Sequence, residues 1–166
     1  MGTFPGGNLV RITPTISATA YDAGDVLFLT TEIPNAVSSR GGVSRLVGVT
    51  MISQHDAIDD VHLIFMQNST NLIGALSPGS TGGSAMTDAQ IESANLIGSV
   101  FIDGTDNYRD LGGGGIYNSA SGGSPTSGAL VTPLLVQAAG GSTSIYVAGV
   151  ASDAQDYDAV DDIDLV

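Results

Sequence analysis

The sequence predicts an all-β fold, a two-sheet antiparallel sandwich of jelly-roll-like topology with one short helix near residues 88–94. Short runs rich in β-branched residues recur along the chain, and clusters of Gly, Pro, Asn, Asp and Ser separate them. Roughly eight or nine short strands with turn signals between them are typical of a sandwich. The pattern does not determine the strand order.

The strands follow from these apolar runs, and Pro14 in the first run favours an edge position because it lacks a backbone donor. The third and fourth runs are joined by "QHDAID", which predicts a hairpin with a polar tip. A second hairpin is predicted at "AAGG". In chain order the predicted strands are 9–17, 25–33, 43–53, 60–67, 71–76, 95–103, 128–137, 142–151 and 160–166.

One helix is indicated by the segment "MTDAQIESANL". Thr87 and Gln90 have the spacing of a capping box, and Asp88 lies in the first turn, where the helix dipole favours a negative charge. Two Gly/Ser-rich segments, 77–85 and 112–128, predict exposed, mobile loops. At 166 residues without internal repeats, the chain predicts a single domain over 1–166, with a flexible N-terminal arm at about 1–8.

The charge balance is strongly acidic. Four arginines, no lysine and 17 Asp and Glu residues give a net charge of −13. Such a chain repels polyanions and anionic membranes, so neither nucleic acid nor membrane is expected as a partner. It also keeps copies apart until a specific contact captures them. The absence of cysteine excludes disulfides and thiolate metal sites.

The segment "SQHDAIDDVHLIFMQ" holds both histidines of the chain. His55 and His62 are candidate metal or catalytic residues, but their spacing matches no zinc signature, and a polar hairpin tip is favoured. Asp103 and Asp106, in one of the two Asp-rich stretches 103–110 and 153–164, are candidate calcium ligands. The EF-hand spacing is absent, and capping of turns is favoured. No G-x-S-x-G motif or phosphate loop is present, so we expect neither catalysis nor a cofactor.

Four stretches carry a resemblance: "ITPTISATAYDAGDVLFLTTEIPNAV", "GGVSRLVGVTMIS", "VHLIFMQ" and "LLVQAAGGSTSIYVAGVA". Together they resemble a group of small virion-associated proteins of tailed bacteriophages, which act as capsid decoration (cement) or minor structural proteins. The resemblance implies a protein made in the host cytoplasm that binds the capsid exterior and stabilises the shell by bridging neighbouring subunits. Its implied partners are the major capsid protein and its own copies, preferably as a homotrimer. No catalytic residue is carried over.

The N-terminal arm and the arginines are the predicted contacts with capsid or neighbouring subunits. Phe4 and Leu9 are the expected anchors, with Arg11 close behind, and Arg40 and Arg45 can bind acidic patches on a neighbour or form internal ion pairs.

Three alternatives stay open. The chain can be a carbohydrate- or receptor-binding module, with Tyr108, Tyr117, Tyr146 and Tyr157 as candidate sugar platforms. It can be a tail or baseplate component. It can be a metal-dependent enzyme that uses the two histidines.

Overall fold

A computed structural model describes residues 7–18, 20–55, 59–70, 88–119 and 134–166, and it confirms an all-β, sandwich-like fold. All pairings between its strands are antiparallel. The elements are β1 Val26–Ile33, β2 Val43–Leu46, β3 Thr50–Ser53, β4 Val61–Met66, α1 Asp88–Ala94, β5 Leu96–Ile102, α2 Gly104–Asn107, β6 Tyr108–Asp110, β7 Gly115–Asn118, β8 Leu134–Gln137, β9 Ile145–Ala151 and β10 Ile163–Leu165.

The strands form two four-stranded sheets and one two-stranded sheet. The first sheet has the order β1-β9-β4-β5, the second has the order β10-β3-β7-β6, and β2 pairs with β8 in the small sheet. Alternation along each strand directs one set of side chains inward; in β4, Val61, Leu63 and Phe65 are buried while His62 between them is exposed. These strand orders do not establish a jelly-roll topology, which stays a prediction.

The larger of the two buried apolar clusters lies between the sheets. Leu63 and Val147 from the first sheet and Met51 and Tyr117 from the second belong to it, together with Val136 of the small sheet. All five are buried, so the three sheets share one apolar interior and position one another.

One glycine allows a close approach within the first sheet. A Cβ atom at Gly149 would lie 2.3 Å from Cε1 of Phe28, which is fully buried. Only glycine at this position lets the Phe28 ring pack onto β9.

The predictions for 25–33, 60–67, 95–103, 142–151 and the 88–94 helix are confirmed within one to three residues at each end. The predicted C-terminal strand is present as β10, and the predicted strand 128–137 is present as β8 from residue 134 onward. The helix cap Thr87, the strand 71–76 and the loop 77–85 lie outside the described residues, as do residues 1–6 of the predicted arm.

Two predicted strands are wrong in extent. Residues 9–17 form a single bridge, between Ile12 and Leu165, since Pro14 cannot donate to a longer ladder. Residues 43–53 do not form one strand but two, β2 and β3, which belong to different sheets. Val47–Val49 carry the chain from the small sheet to the second sheet.

Both predicted hairpins are also wrong. The strands that flank "QHDAID" pair with other partners, β3 with β7 and β10, and β4 with β5 and β9. This connection therefore crosses from the second sheet to the first. At the second predicted hairpin, residues 139–142 do form a tight turn, in which Ser142 N–H donates to Ala139 O at 2.9 Å and Gly141 has a φ of +92°. The strands on either side of this turn, β8 and β9, nevertheless pair with different strands.

The predicted loop 112–128 contains a buried strand, β7. A Cβ atom at Gly115 would lie 1.8 Å from the Tyr108 ring, so glycine here lets β6 and β7 pair closely. A Gly-rich run is therefore compatible with a strand where an aromatic ring covers the backbone. In the part of the chain that the structure describes, no helix is long and apolar enough to cross a membrane.

Candidate protein-binding surface

The small sheet presents aliphatic side chains to solvent. Strand alternation turns Val136 of β8 into the core and Leu135 outward, where 63% of Leu135 is exposed. On the paired strand β2, Val43 and Arg45 are exposed in the same way, and Arg45 lies directly opposite Leu135. The pairing of β2 with β8 thus joins residues from distant parts of the sequence into one surface.

Two depressions extend this surface on either side. A shallow hollow of about 320 Å³, lined by Val43 and Leu135, reaches Leu96 at the start of β5. A deeper cleft of about 470 Å³ lies on the inward side of the small sheet, where Leu46 and Val136 line it, and its lining also includes Arg45, Val47 and Leu9, which is 84% exposed. We call the resulting surface the β2–β8 face, and its exposed members are Leu9, Val43, Arg45, Val47, Leu96 and Leu135.

The electrostatics of the β2–β8 face differ from those of the chain as a whole. Among the described residues no Asp or Glu side chain lines either depression, and Arg45 is the one lining residue there with a charged side chain. Within the described residues Arg45 has no carboxylate partner. The ion pair among these residues joins two other side chains, those of Arg11 and Asp164. The face therefore combines exposed aliphatic groups with one uncompensated positive charge.

A second group of exposed aliphatic residues lies at the other end of the second sheet. Gln54, which follows β3, donates its backbone N–H to Asp162 O at 2.8 Å and its side-chain Nε2 to Asp161 O at 3.1 Å. The turn before β7 packs against the same residue, since a Cβ atom at Gly114 would lie 3.2 Å from Gln54 Cα. We call this region the acidic end, and its exposed members are Asp110, Leu111, Asp158, Val160 and Asp161.

The two regions lie at opposite ends of β3. Thr50, the first residue of β3, lines the cleft of the β2–β8 face together with Val166 and Asn118. The acidic end surrounds Gln54, directly after the last residue of β3. The second sheet therefore separates them by the length of its strands.

The predicted contact residues divide between the face and other sites. Leu9 and Arg45 belong to the β2–β8 face. Arg40 is exposed in the turn before β2. Arg11 forms an ion pair with Asp164, and the hydrogen bond from Arg11 is the main reason that the pKa of Asp164 is lowered. Phe4 lies outside the described residues. The sequence alone could not bring Leu96 and Leu135 to this surface, because their position depends on strand pairing.

The two histidines do not come together. His62 is exposed on β4 and stacks on Phe101 with ring centroids 4.7 Å apart, whereas His55 lies 6.0 Å from the ring of Tyr157. Within the described residues no three His, Asp or Glu side chains converge in a way that could hold a metal ion.

The Asp-rich stretches cap turns. Asp103 Oδ1 accepts a hydrogen bond from Thr105 N–H, and Asp162 Oδ2 accepts from the backbone of Asp158 and Ala159. Asp60, whose pKa is raised chiefly by burial, accepts from Gly104 N–H at 2.6 Å. Asp106 lies in α2. These bonds are the turn-capping role that short carboxylate side chains perform well.

The connection "QHDAID" contains a buried carboxylate, although its sequence predicts a polar hairpin tip. Asp59 is fully buried, and Tyr117 donates a hydrogen bond to its Oδ2 at 3.3 Å. Burial raises its pKa to about 6, although the neighbouring hydroxyls of Tyr157 and Tyr117 and the imidazole of His55 act in the opposite direction. Asp59 becomes buried because the connection crosses between the sheets, which no local pattern indicates.

Two of the four candidate sugar platforms are buried. Tyr117 and Tyr157 belong to the core, and Tyr157 donates its hydroxyl to Gln155 Oε1 at 2.9 Å. Their ring faces cannot stack on a ligand. Tyr108 and Tyr146 are half-buried.

Comparison with known proteins gives no relatives: no family model, no curated protein and no solved structure matches this chain.

Proposed function

We propose that this chain is a non-catalytic structural protein of a tailed-phage virion, which binds the outside of the capsid and stabilises it by bridging neighbouring subunits. The observation that supports the proposal is the β2–β8 face, an exposed aliphatic surface whose depressions no Asp or Glu side chain of the described residues lines, on a chain with a net charge of −13. An exposed apolar patch of this kind on a soluble protein is typical of a protein–protein contact.

The distribution of charge serves this function. Carboxylates elsewhere on the surface keep free copies apart, and a face whose depressions no described Asp or Glu side chain lines can approach another protein with less like-charge repulsion. Leu9, Val43 and Leu135 would supply the buried apolar area, and Arg45 would pair with a carboxylate of the partner. Phe4 and Arg40 stay predicted contacts.

The rigidity of the body also favours a bridging role. One core joins the three sheets, so contacts made at separate points on the surface are held at fixed distances. Each contact can be weak, because further contacts of the same particle become intramolecular once the first has formed. The sequence resemblance to phage decoration proteins supports the same proposal.

The test is reassembly onto particles. Phage shells produced without this chain are mixed with the purified protein, and bound copies are counted after sedimentation. We expect saturable binding, with Val47→Asp reducing occupancy at limiting protein concentration by more than about tenfold, since a carboxylate would be buried in an apolar contact. Ala23→Asp is the matched control: it adds the same group at an exposed turn beside β1, away from the face, and should bind as the unchanged protein does.

Two outcomes would contradict the proposal. Equal binding by the Val47→Asp variant and the unchanged protein would show that the β2–β8 face is not the contact. A reconstruction of the native particle with this chain in the tail or baseplate, and none on the shell, would replace capsid decoration by the tail alternative.

A further inference from the structure

We infer that the β2–β8 face takes up the acidic end of a second copy of this chain, so that copies associate head to tail. The inference rests on the proposed function in one respect, the assignment of the β2–β8 face as a protein-binding surface. It adds the identity of the partner and the part of the partner that binds.

Charge is the first argument for a second copy. Arg45 is exposed at the centre of the face without a carboxylate partner among the described residues. The acidic end offers three exposed carboxylates, those of Asp110, Asp158 and Asp161, against one exposed guanidinium, that of Arg109 beside Asp110. A guanidinium that approaches this cluster gains charge-assisted hydrogen bonds, and the chain itself thus carries the complement of its own face.

Apolar contact is the second argument. All the exposed large aliphatic residues of the described chain belong to one of these two regions. At the acidic end, Leu111 is 66% exposed and Val160 is 54% exposed, and each lies next to a carboxylate in the sequence. The cleft of about 470 Å³ beside Arg45 is lined mainly by aliphatic side chains and backbone, so it can receive one of these side chains while the adjacent carboxylate meets Arg45.

Geometry decides between the ways in which copies can join. The face and the acidic end lie at opposite ends of β3, so they cannot meet within one copy. A two-fold contact between equal faces would bring Arg45 against Arg45, and one between acidic ends would bring carboxylates together. Contact between the face of one copy and the acidic end of another avoids both, and when it is repeated head to tail it produces closed rings or open assemblies. Closure after three copies would give the trimer that the sequence resemblance implies.

The test is a charge exchange read out as molecular mass. Light scattering after size exclusion and sedimentation equilibrium are run on the unchanged protein and on Arg45→Glu, Arg45→Lys and Asp158→Arg/Asp161→Arg variants. We expect the unchanged protein to have a multiple of 16.7 kDa. Arg45→Glu and the double arginine variant should each weaken association at least about tenfold, because each places like charges across the contact. Arg45→Lys is the matched control and should retain association.

The decisive variant combines the changes. Arg45→Glu together with Asp158→Arg and Asp161→Arg reverses both partners and should restore the mass of the unchanged protein. All three positions are exposed, and equal melting temperatures will show that each variant is folded.

Failure of restoration by the combined variant would overturn the inference, as would a protein that stays at 16.7 kDa at a concentration of about 0.5 mM, where contacts with dissociation constants up to the millimolar range begin to be seen. The capsid-binding test is separate. A monomeric chain whose Val47→Asp variant still loses shell occupancy would reject head-to-tail association and retain the proposed function. A chain that self-associates but never binds shells would retain head-to-tail association and reject the proposed function.

Discussion

The β2–β8 face and the acidic end are alike in one property and opposite in another. Both expose large aliphatic side chains, such as Leu135 on the face and Leu111 at the acidic end. Among the described residues no Asp or Glu side chain lines the two depressions of the face, whereas the acidic end has Asp110, Asp158 and Asp161 beside its aliphatic groups. Within the described residues, acidic side chains are therefore absent from the depressions of one exposed aliphatic region and present beside the other.

The difference shows what each region can bind. An apolar surface that carries a lone guanidinium fits a partner with carboxylates, and the acidic end fits a partner with a positive charge. It also predicts where pH and salt act. Asp59, the carboxylate whose pKa burial raises, lies in the core and lines neither depression, so its protonation should affect stability and leave the face unaltered.

The largest expected effect is the pH dependence that Asp59 imposes on stability. Its pKa of about 6 in the folded protein lies above the ordinary 3.8, so its contribution to stability is fully present below about pH 4 and is lost as the pH rises through 6. Because an asparagine side chain does not ionise, the Asp59→Asn variant should not lose this stability as the pH rises. We expect the variant to be more stable than the unchanged protein by up to about 3 kcal/mol above pH 7, and the difference to vanish near pH 4. Urea unfolding at pH 4, 5.5 and 7.5 measures it.

An internal control exists for the Asp59 titration. The hydrogen bond from Arg11 lowers the pKa of Asp164, so in one carbon-detected NMR titration Asp164 should ionise below and Asp59 above the ordinary range. If the stability difference between Asp59→Asn and the unchanged protein stays the same at all three pH values, the buried carboxylate does not titrate as described.

The second prediction separates binding from folding on a single strand. Leu135 and Val136 are neighbours in β8, the first 63% exposed on the face and the second 2% exposed in the core. Val136→Ala should lower the free energy of unfolding by about 2 kcal/mol, since it leaves a cavity between the sheets. Leu135→Ala should change it by less than about 0.5 kcal/mol but weaken association several-fold.

Denaturant unfolding and sedimentation equilibrium on the two variants test this contrast. A large loss of stability in Leu135→Ala, with association unchanged, would mean that the small sheet serves the fold and not a partner.

Strand positions could be predicted from the sequence, and strand partners could not. The alternation in Val61–Met66 and the capping pattern of α1 are local signals, and both elements form where predicted. The residues of "QHDAID" appear in sequence as a polar tip between two strands. Whether those strands pair is decided by the packing of the whole core, and here they belong to different sheets. The burial of Asp59 follows from that crossing.

The candidate surface shows the same limit. Arg45 and Leu9 were predicted contacts because a scarce arginine and an apolar N-terminal segment are visible in the sequence, and both belong to the face. Leu135 and Leu96 join them only through the pairing of β2 with β8 and the approach of β8 to β5. The sequence did not predict the strand β7, and the reason is related. Gly115 is compatible with a strand because the ring of Tyr108 on the neighbouring strand packs against it, and this contact depends on strand pairing.

The smallest expected effect concerns the single charge on the β2–β8 face. The net charge of −13 makes copies repel one another at low salt, whereas Arg45 attracts the acidic end, so added salt weakens two opposed effects at once. Comparing Arg45→Gln with the unchanged protein isolates the attraction. In about 0.05 M salt we expect Arg45→Gln to associate about three- to tenfold more weakly, which corresponds to one partly desolvated ion pair, and in about 1 M salt we expect the two proteins to become nearly equal. A difference that stays constant across this range, measured by sedimentation equilibrium, would show that the side chain of Arg45 contributes by packing its alkyl chain and not by its charge.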